Sequence, residues 1–168
     1  MPNYSDLDFT QKSQFNEAKL RGAYLSMACD IEFMLVDVIC ICLVKDEADR
    51  KAVKVILLEN AMMSKKIALT RKAIKRYNLG YYDGYKGCLN TFEEFNEWRN
   101  MFAHSRIKGD PEERDLSFMI FEYIKKGEIV EQREEFDPLY KKLLGYAAAI
   151  MKFSELIVII YTERGQAT

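Results

Sequence analysis

Apolar residues recur at steps of three and four over most of the chain, the repeat of helices that bury one face. In residues 15–44, Leu20, Tyr24, Met27, Ile31, Met34, Leu35, Val38 and Cys42 keep this spacing. Phe33, Val36, Ile39 and Ile41 add a second apolar face, which predicts a helix covered on more than one side. Such a helix is either plain core or shared between core and a dimer interface, and plain core is the commoner use. A second helix is predicted over residues 47–77, with Val53, Ile56, Leu57, Asn60, Met63, Ile67 and Ile74 inward. Its remaining surface holds Lys51, Lys54, Lys65, Lys66, Arg71, Lys72, Lys75 and Arg76. A solvated face is the ordinary use of such a run, and an RNA-facing surface is the alternative.

Residues 77–87 are rich in Gly, Asn and Tyr and read as a turn-rich loop that ends the second helix near residues 78–80. Its tyrosines pack on the domain surface or stack on bases. Thr91-Phe92-Glu93-Glu94 has the form of a capping box and predicts the start of a third helix, with Phe92, Phe95, Trp98 and Phe102 inward. Gly109-Asp110-Pro111 closes that helix. Residues 117–124 and 128–133 flank Lys125-Lys126-Gly127 and read as a small β-hairpin. Asp137-Pro138 opens the last helix, which runs through Tyr140, Leu143, Leu144, Ala147, Ile150, Met151, Ile157 and Tyr161 to Gly165. With no internal repeat and no linker, the expected architecture is a single, mostly α domain over residues 1–168. It is a four-helix up-down bundle with a hairpin inserted before the last helix, and about the first 14 residues are peripheral.

Composition narrows the function classes. Hydrophobic residues make up 49% and charged residues 30%, with 8 Gly and 3 Pro, which excludes a disordered or low-complexity chain. Twenty-five basic and 26 acidic residues leave a net charge of −1, so any nucleic-acid contact must come from a local patch. Cys29, Cys40, Cys42 and Cys88 form no C-x-x-C pair, and with one histidine a zinc site of mixed Cys/His ligands is not expected. Free, mostly buried thiols suit a reducing cytosol. The polar, acidic N-terminus lacks a signal-peptide layout. The most apolar stretches, residues 31–44 and 150–161, are interrupted by charges and fall short of the ~20 residues of a membrane span. A soluble, cytoplasmic protein without membrane contact is expected.

Candidate chemistry concentrates in Trp98-Arg99-Asn100-Met101-Phe102-Ala103-His104-Ser105, which holds the only tryptophan and the only histidine. On a helix, Asn100 and His104 share a face, whereas Arg99 lies about 140° from His104. Arginine and histidine converge if the arginine bends round, if the helix ends at His104, or if two copies meet across an axis. Metal-free RNA cleavage needs a group to take the 2′-hydroxyl proton, one to protonate the leaving 5′-oxygen, and one to balance phosphate charge. Histidine suits either proton transfer near neutral pH, and arginine suits the phosphate. One histidine per chain therefore argues for a site shared by two protomers.

Arg99-Asn100-x-x-x-His104 resembles the R-x(4–6)-H motif of the HEPN family, and the helix order is similar from about residue 15 to residue 161. That resemblance implies a metal-independent, cofactor-free endoribonuclease acting as a homodimer, of the toxin or antiviral effector class, with an antitoxin or nucleotidyltransferase as a further partner. His104 would be the acid/base residue, Arg99 the phosphate-stabilising residue and Asn100 the orienting residue. Ser105, Arg106 and Glu32 are secondary substrate-binding candidates, although acids such as Glu32 and Asp37 within an apolar helix more often pair with a neighbouring base. A fainter resemblance to mannitol-repressor-like α proteins implies regulation or binding of RNA, a nucleotide or a protein without catalysis. The competing structural reading is a histidine favoured by a helix C-terminus and an arginine packed on Trp98.

Overall fold

The computed structural model describes residues 3–77, 82–109 and 116–165. Within them the chain is mostly helical, with five α-helices and one small antiparallel sheet. The helices are α1 (Phe9–Leu43), α2 (Glu47–Asn60), α3 (Met63–Arg76), α4 (Tyr82–His104) and α5 (Phe136–Gly165). The strands are β1 (Arg106–Lys108), β2 (Phe118–Lys125) and β3 (Glu128–Glu135), in sheet order β1-β2-β3. The chain folds as two compact units, residues 1–26 with 97–145, and residues 27–96 with 146–168.

The first unit holds the sheet. The β2–β3 hairpin forms as its sequence predicts, in register Lys125↔Glu128 and Ile124↔Ile129 across the two-residue turn Lys126-Gly127. Both turn residues have positive φ, 54° and 86°, the geometry that matches the twist of a tight hairpin. Sequence reading missed β1, which pairs Ile107 with Phe121; its three residues are too few to show an alternation. Phe102 stacks on Tyr24 and meets Phe121 edge-on, so the last turns of α4 are clamped between α1 and β2. Leu20, Ile107, Met119, Leu139 and Leu143 complete this core. Helix α1 begins at Phe9, so much of the segment expected to be peripheral is helical.

The second unit packs α2, α3 and parts of α1, α4 and α5. Here α1 is buried nearly all round: Leu35, Val36 and the run from Val38 to Cys42 are inaccessible, while Phe33 is half exposed under the Lys54 ammonium. The single helix expected over residues 47–77 is two helices. Ala61 and Met62 are extended, with ψ of 129° and 150°, and the Asn60 amide donates to the Ile56 carbonyl, ending α2. The buried Lys66 ammonium donates to the Leu58 carbonyl in the last turn of α2 and pairs with Glu32 of α1. A cation there satisfies carbonyls that have lost their intrahelical donors, so the break is held by a tertiary contact.

Two further expectations are corrected. Helix α4 is already running at Tyr82, so residues 82–87 are helical rather than loop, and Thr91 is no cap; its hydroxyl donates back to the Gly87 carbonyl. Tyr85, Cys88, Leu89 and Phe92 are buried at helical spacing, with Tyr85 and Phe92 edge-on to Phe153, and that packing extends the helix past the expected start. The other part of the expected loop, residues 78–81, and positions 110 and 111 of the expected helix stop lie outside the described residues; α4 ends at His104, before Gly109. The last helix opens at Phe136, one residue ahead of the expected Asp137. The expectation that every apolar stretch is too short for a membrane does not hold for α5: Phe136–Glu163 has the length and composition of a span, with 28% of its most apolar window buried. In the same stretch Tyr146, Phe153, Leu156 and Ile160 recur at helical spacing and are core residues.

Candidate functional site

The last two turns of α4 are fixed from three sides within the first unit. Trp98 meets Phe121 edge-on, and the Lys142 ammonium lies 4.5 Å from the Trp98 ring centre. Phe102 is buried one turn further on. Where the helix runs out of internal donors, Arg21 of α1 supplies them. One guanidinium nitrogen donates to the Phe102 carbonyl, and the other donates to the Ser105 carbonyl at 3.1 Å and to the Glu17 carboxylate at 2.9 Å. Orphan C-terminal carbonyls are thus met by a fixed cation, and α4 stops at His104.

The end of α4 borders a cavity of about 450 Å³, lined by Glu97, Asn100, Met101, His104 and Ser105, with Tyr123 and Ile124 from β2. Asn100 and His104 are exposed, one turn apart, as their spacing predicts. Ser105 is buried, and its hydroxyl has no hydrogen-bond partner among the described residues. The Tyr123 hydroxyl is bonded to the Gln132 side chain at 3.2 Å, which steadies that ring at the cavity wall.

Arg99 does not line the cavity. Its guanidinium instead donates to the neighbouring Asn100 Oδ1 at 3.0 Å, while its Nε is buried without a partner among the described residues. The helix ends at His104, but the Arg99 guanidinium is bonded to its neighbour Asn100, and within one chain the structure does not bring Arg99 and His104 together. Arg106 is exposed on β1 and borders a second cavity, of about 360 Å³, with Thr10, Ser13, Gln14 and Lys108 among its lining. Hydrogen bonds that the Lys108 ammonium donates to Glu131 and then Glu122 hold it above the ordinary lysine range, so this cation is already engaged. Glu32 belongs to the second unit, where its carboxylate accepts from Lys66; Asp37 likewise takes Lys54 at 2.6 Å.

Sequence reasoning missed Glu97, Tyr123 and Arg21. The signal for Glu97 was present, since it precedes Asn100 by three residues and His104 by seven and so shares their helix face. Arg21 and Tyr123 reach the site through folding and carry no local signal. Among the described residues, no group of three or more His, Cys, Asp or Glu side chains is arranged to hold a metal ion. No family model, curated protein or solved structure matches the chain.

Proposed function

We propose that this chain is a metal-independent endoribonuclease of the HEPN type, with His104 exchanging a proton at the cleaved phosphodiester, Arg99 balancing phosphate charge, and Asn100 orienting the substrate. The observation that carries this reading is that Asn100, His104 and Ser105 border one cavity while Arg99 is hydrogen-bonded to Asn100. A cavity of about 450 Å³ has room for one nucleotide, and Tyr123 and Met101 offer surfaces for an unstacked base. The helix order supports a HEPN-like bundle whose second helix is divided. The reading extends to a homodimer in the cytoplasm, of the toxin or antiviral class, restrained by an antitoxin or nucleotidyltransferase partner. The free, buried thiols of Cys40 and Cys88 support the reducing compartment.

Incubation with single-stranded RNA in EDTA tests the activity. Cleavage is expected to leave 2′,3′-cyclic phosphate and 5′-hydroxyl ends and to fall by about 10²–10⁴-fold in His104→Ala. Intact RNA, or cleavage undiminished in that variant, overturns the reading. A second reading, a binding or regulatory module, is favoured by the unpartnered Ser105 hydroxyl, which a bound ligand would satisfy without any reaction. Calorimetric binding of an oligonucleotide that stays uncut would favour it.

A further inference from the structure

The cavity beside His104 is lined by apolar and by polar side chains, and the two sets do different things. Met101, Tyr123 and Ile124 are the apolar set, and the Tyr123 ring is steadied by the bond of its hydroxyl to Gln132. An unstacked base buries its faces against such side chains and is then told apart by its Watson–Crick edge. Glu97 and Asn100 belong to the polar set, three residues and about 60° apart on α4, so their side chains are neighbours. Both are exposed, and Asn100 Oδ1 already accepts from the Arg99 guanidinium. That bond fixes which end of the amide is left for a ligand: Nδ2, a donor. An ionised carboxylate at Glu97 offers acceptors alone, and among the described residues no cation pairs with it. The cavity therefore presents one donor beside two acceptors.

Of the four RNA bases, guanine alone carries the complement on its Watson–Crick edge. Its O6 accepts, while N1–H and the 2-amino group donate side by side. Uracil sets one donor between two acceptors. Adenine and cytosine each turn a bare ring nitrogen toward the carboxylate, so that lone pair meets lone pair. We propose that this cavity takes a guanosine, with Glu97 accepting from N1–H and the 2-amino group and Asn100 donating to O6. This deepens the nuclease reading by naming its substrate, and the cleavage it implies rests on that reading. Each protomer supplies one such pocket beside the shared cleft, which leaves the proton transfers to the two copies of His104. The buried Ser105 hydroxyl, without a partner among the described residues, remains for a further polar atom of the bound nucleotide.

Calorimetry of the full chain with guanosine, adenosine, cytidine and uridine 5′-monophosphates tests the pocket without requiring cleavage. Uridine-rich oligonucleotides with one internal guanosine, inosine or adenosine test it in the reaction. Guanosine monophosphate is expected to bind about 10–100-fold more tightly than the other three, and cleavage is expected beside the single guanosine. Inosine lacks only the 2-amino group and is expected to lose about tenfold. Glu97 is exposed, so Glu97→Gln is expected to melt as wild type does. Its amide offers one donor and one acceptor, the match for the N1 and 6-amino group of adenine, so the preference is expected to move from guanosine to adenosine. Binding that is absent or equal among the four nucleotides overturns the proposal, as does a Glu97→Gln protein that still prefers guanosine. Guanosine-selective binding with every RNA left intact supports the pocket and fails the nuclease reading, whereas cleavage indifferent to the base does the reverse.

Discussion

The guanidinium of Arg21 is divided among the Phe102 carbonyl, the Ser105 carbonyl and the Glu17 carboxylate, and His104 lies between the two carbonyls it holds. A lysine could offer a point charge there but not two diverging donors in one plane. Charge-assisted hydrogen bonds contribute about 1.5–3 kcal/mol each where they are shielded, and the Arg21 side chain is roughly a quarter exposed. Arg21→Ala is therefore expected to lower stability by about 1–3 kcal/mol in urea unfolding, and Arg21→Lys by less. The more telling readout is local: amide exchange at His104 and Ser105 should accelerate beyond the global change, because two C-terminal carbonyls lose their donor. Uniform acceleration across all helices would show that Arg21 contributes stability without fixing the end of α4. The motif Arg99-Asn100-x-x-x-His104 was legible without the fold, since its spacing alone put Asn100 and His104 on one face. Arg21 was not, because it stands 81 positions from Phe102 and 84 from Ser105, and only folding brings them together.

At the scale of elements, periodicity located the helices, and local signals misplaced their ends. The hairpin turn was legible because a Gly in a two-residue connection permits the positive φ that the strand twist requires. The break at Ala61-Met62 was not, because the apolar repeat resumes in step from Leu57 to Met63 and Ile67, and the interruption is held by Lys66 reaching back to Leu58. The Thr91 capping box misled for a related reason. A Thr-x-x-Glu pattern satisfies either a free helix end or the interior of a helix, where the hydroxyl bonds the preceding turn. Packing of Tyr85 and Leu89 decided between them. This places Gly87 in a helix interior, with no atom outside its own stretch of helix within 4 Å of where a methyl group would stand. Gly87→Ala is accordingly expected to stabilise the protein by about 0.5–1 kcal/mol through helix propensity and a less flexible unfolded chain. A lower urea midpoint in that variant would instead support the loop expected from sequence, in which a glycine is favoured.

Across the whole molecule, the titrating groups set a pH window for folding. Burial, reinforced by Asp37, raises the Cys40 thiol above its ordinary value of 9.0, and burial alone outweighs nearby Lys152 to raise Cys88. Burial also raises the Tyr85 phenol above 10.0. For each of these, ionisation is easier in the unfolded chain. Their contribution is complete below about pH 9 and declines as pH rises toward the folded-state values. Glu93 runs the other way: its hydrogen bond from Arg71 lowers its carboxyl below 4.5, so that contribution is present above this value and lost as pH falls. Urea midpoints are therefore expected to hold between about pH 5 and 9 and to fall beyond each edge. Cys40→Ala/Cys88→Ala should lower the plateau by opening small cavities while flattening the alkaline decline, and Arg71→Ala should lower the plateau and flatten the acid decline, because Glu93 then loses the hydrogen bond that depresses its carboxyl. Thiol labelling gives an independent check, since exposed Cys29 should react at once in the native protein and Cys40, Cys42 and Cys88 only after unfolding. An alkaline decline that persists unchanged in the double variant would assign that edge to Tyr85 or to the lysines, and the buried thiols would then be packing groups whose ionisation never limits the fold.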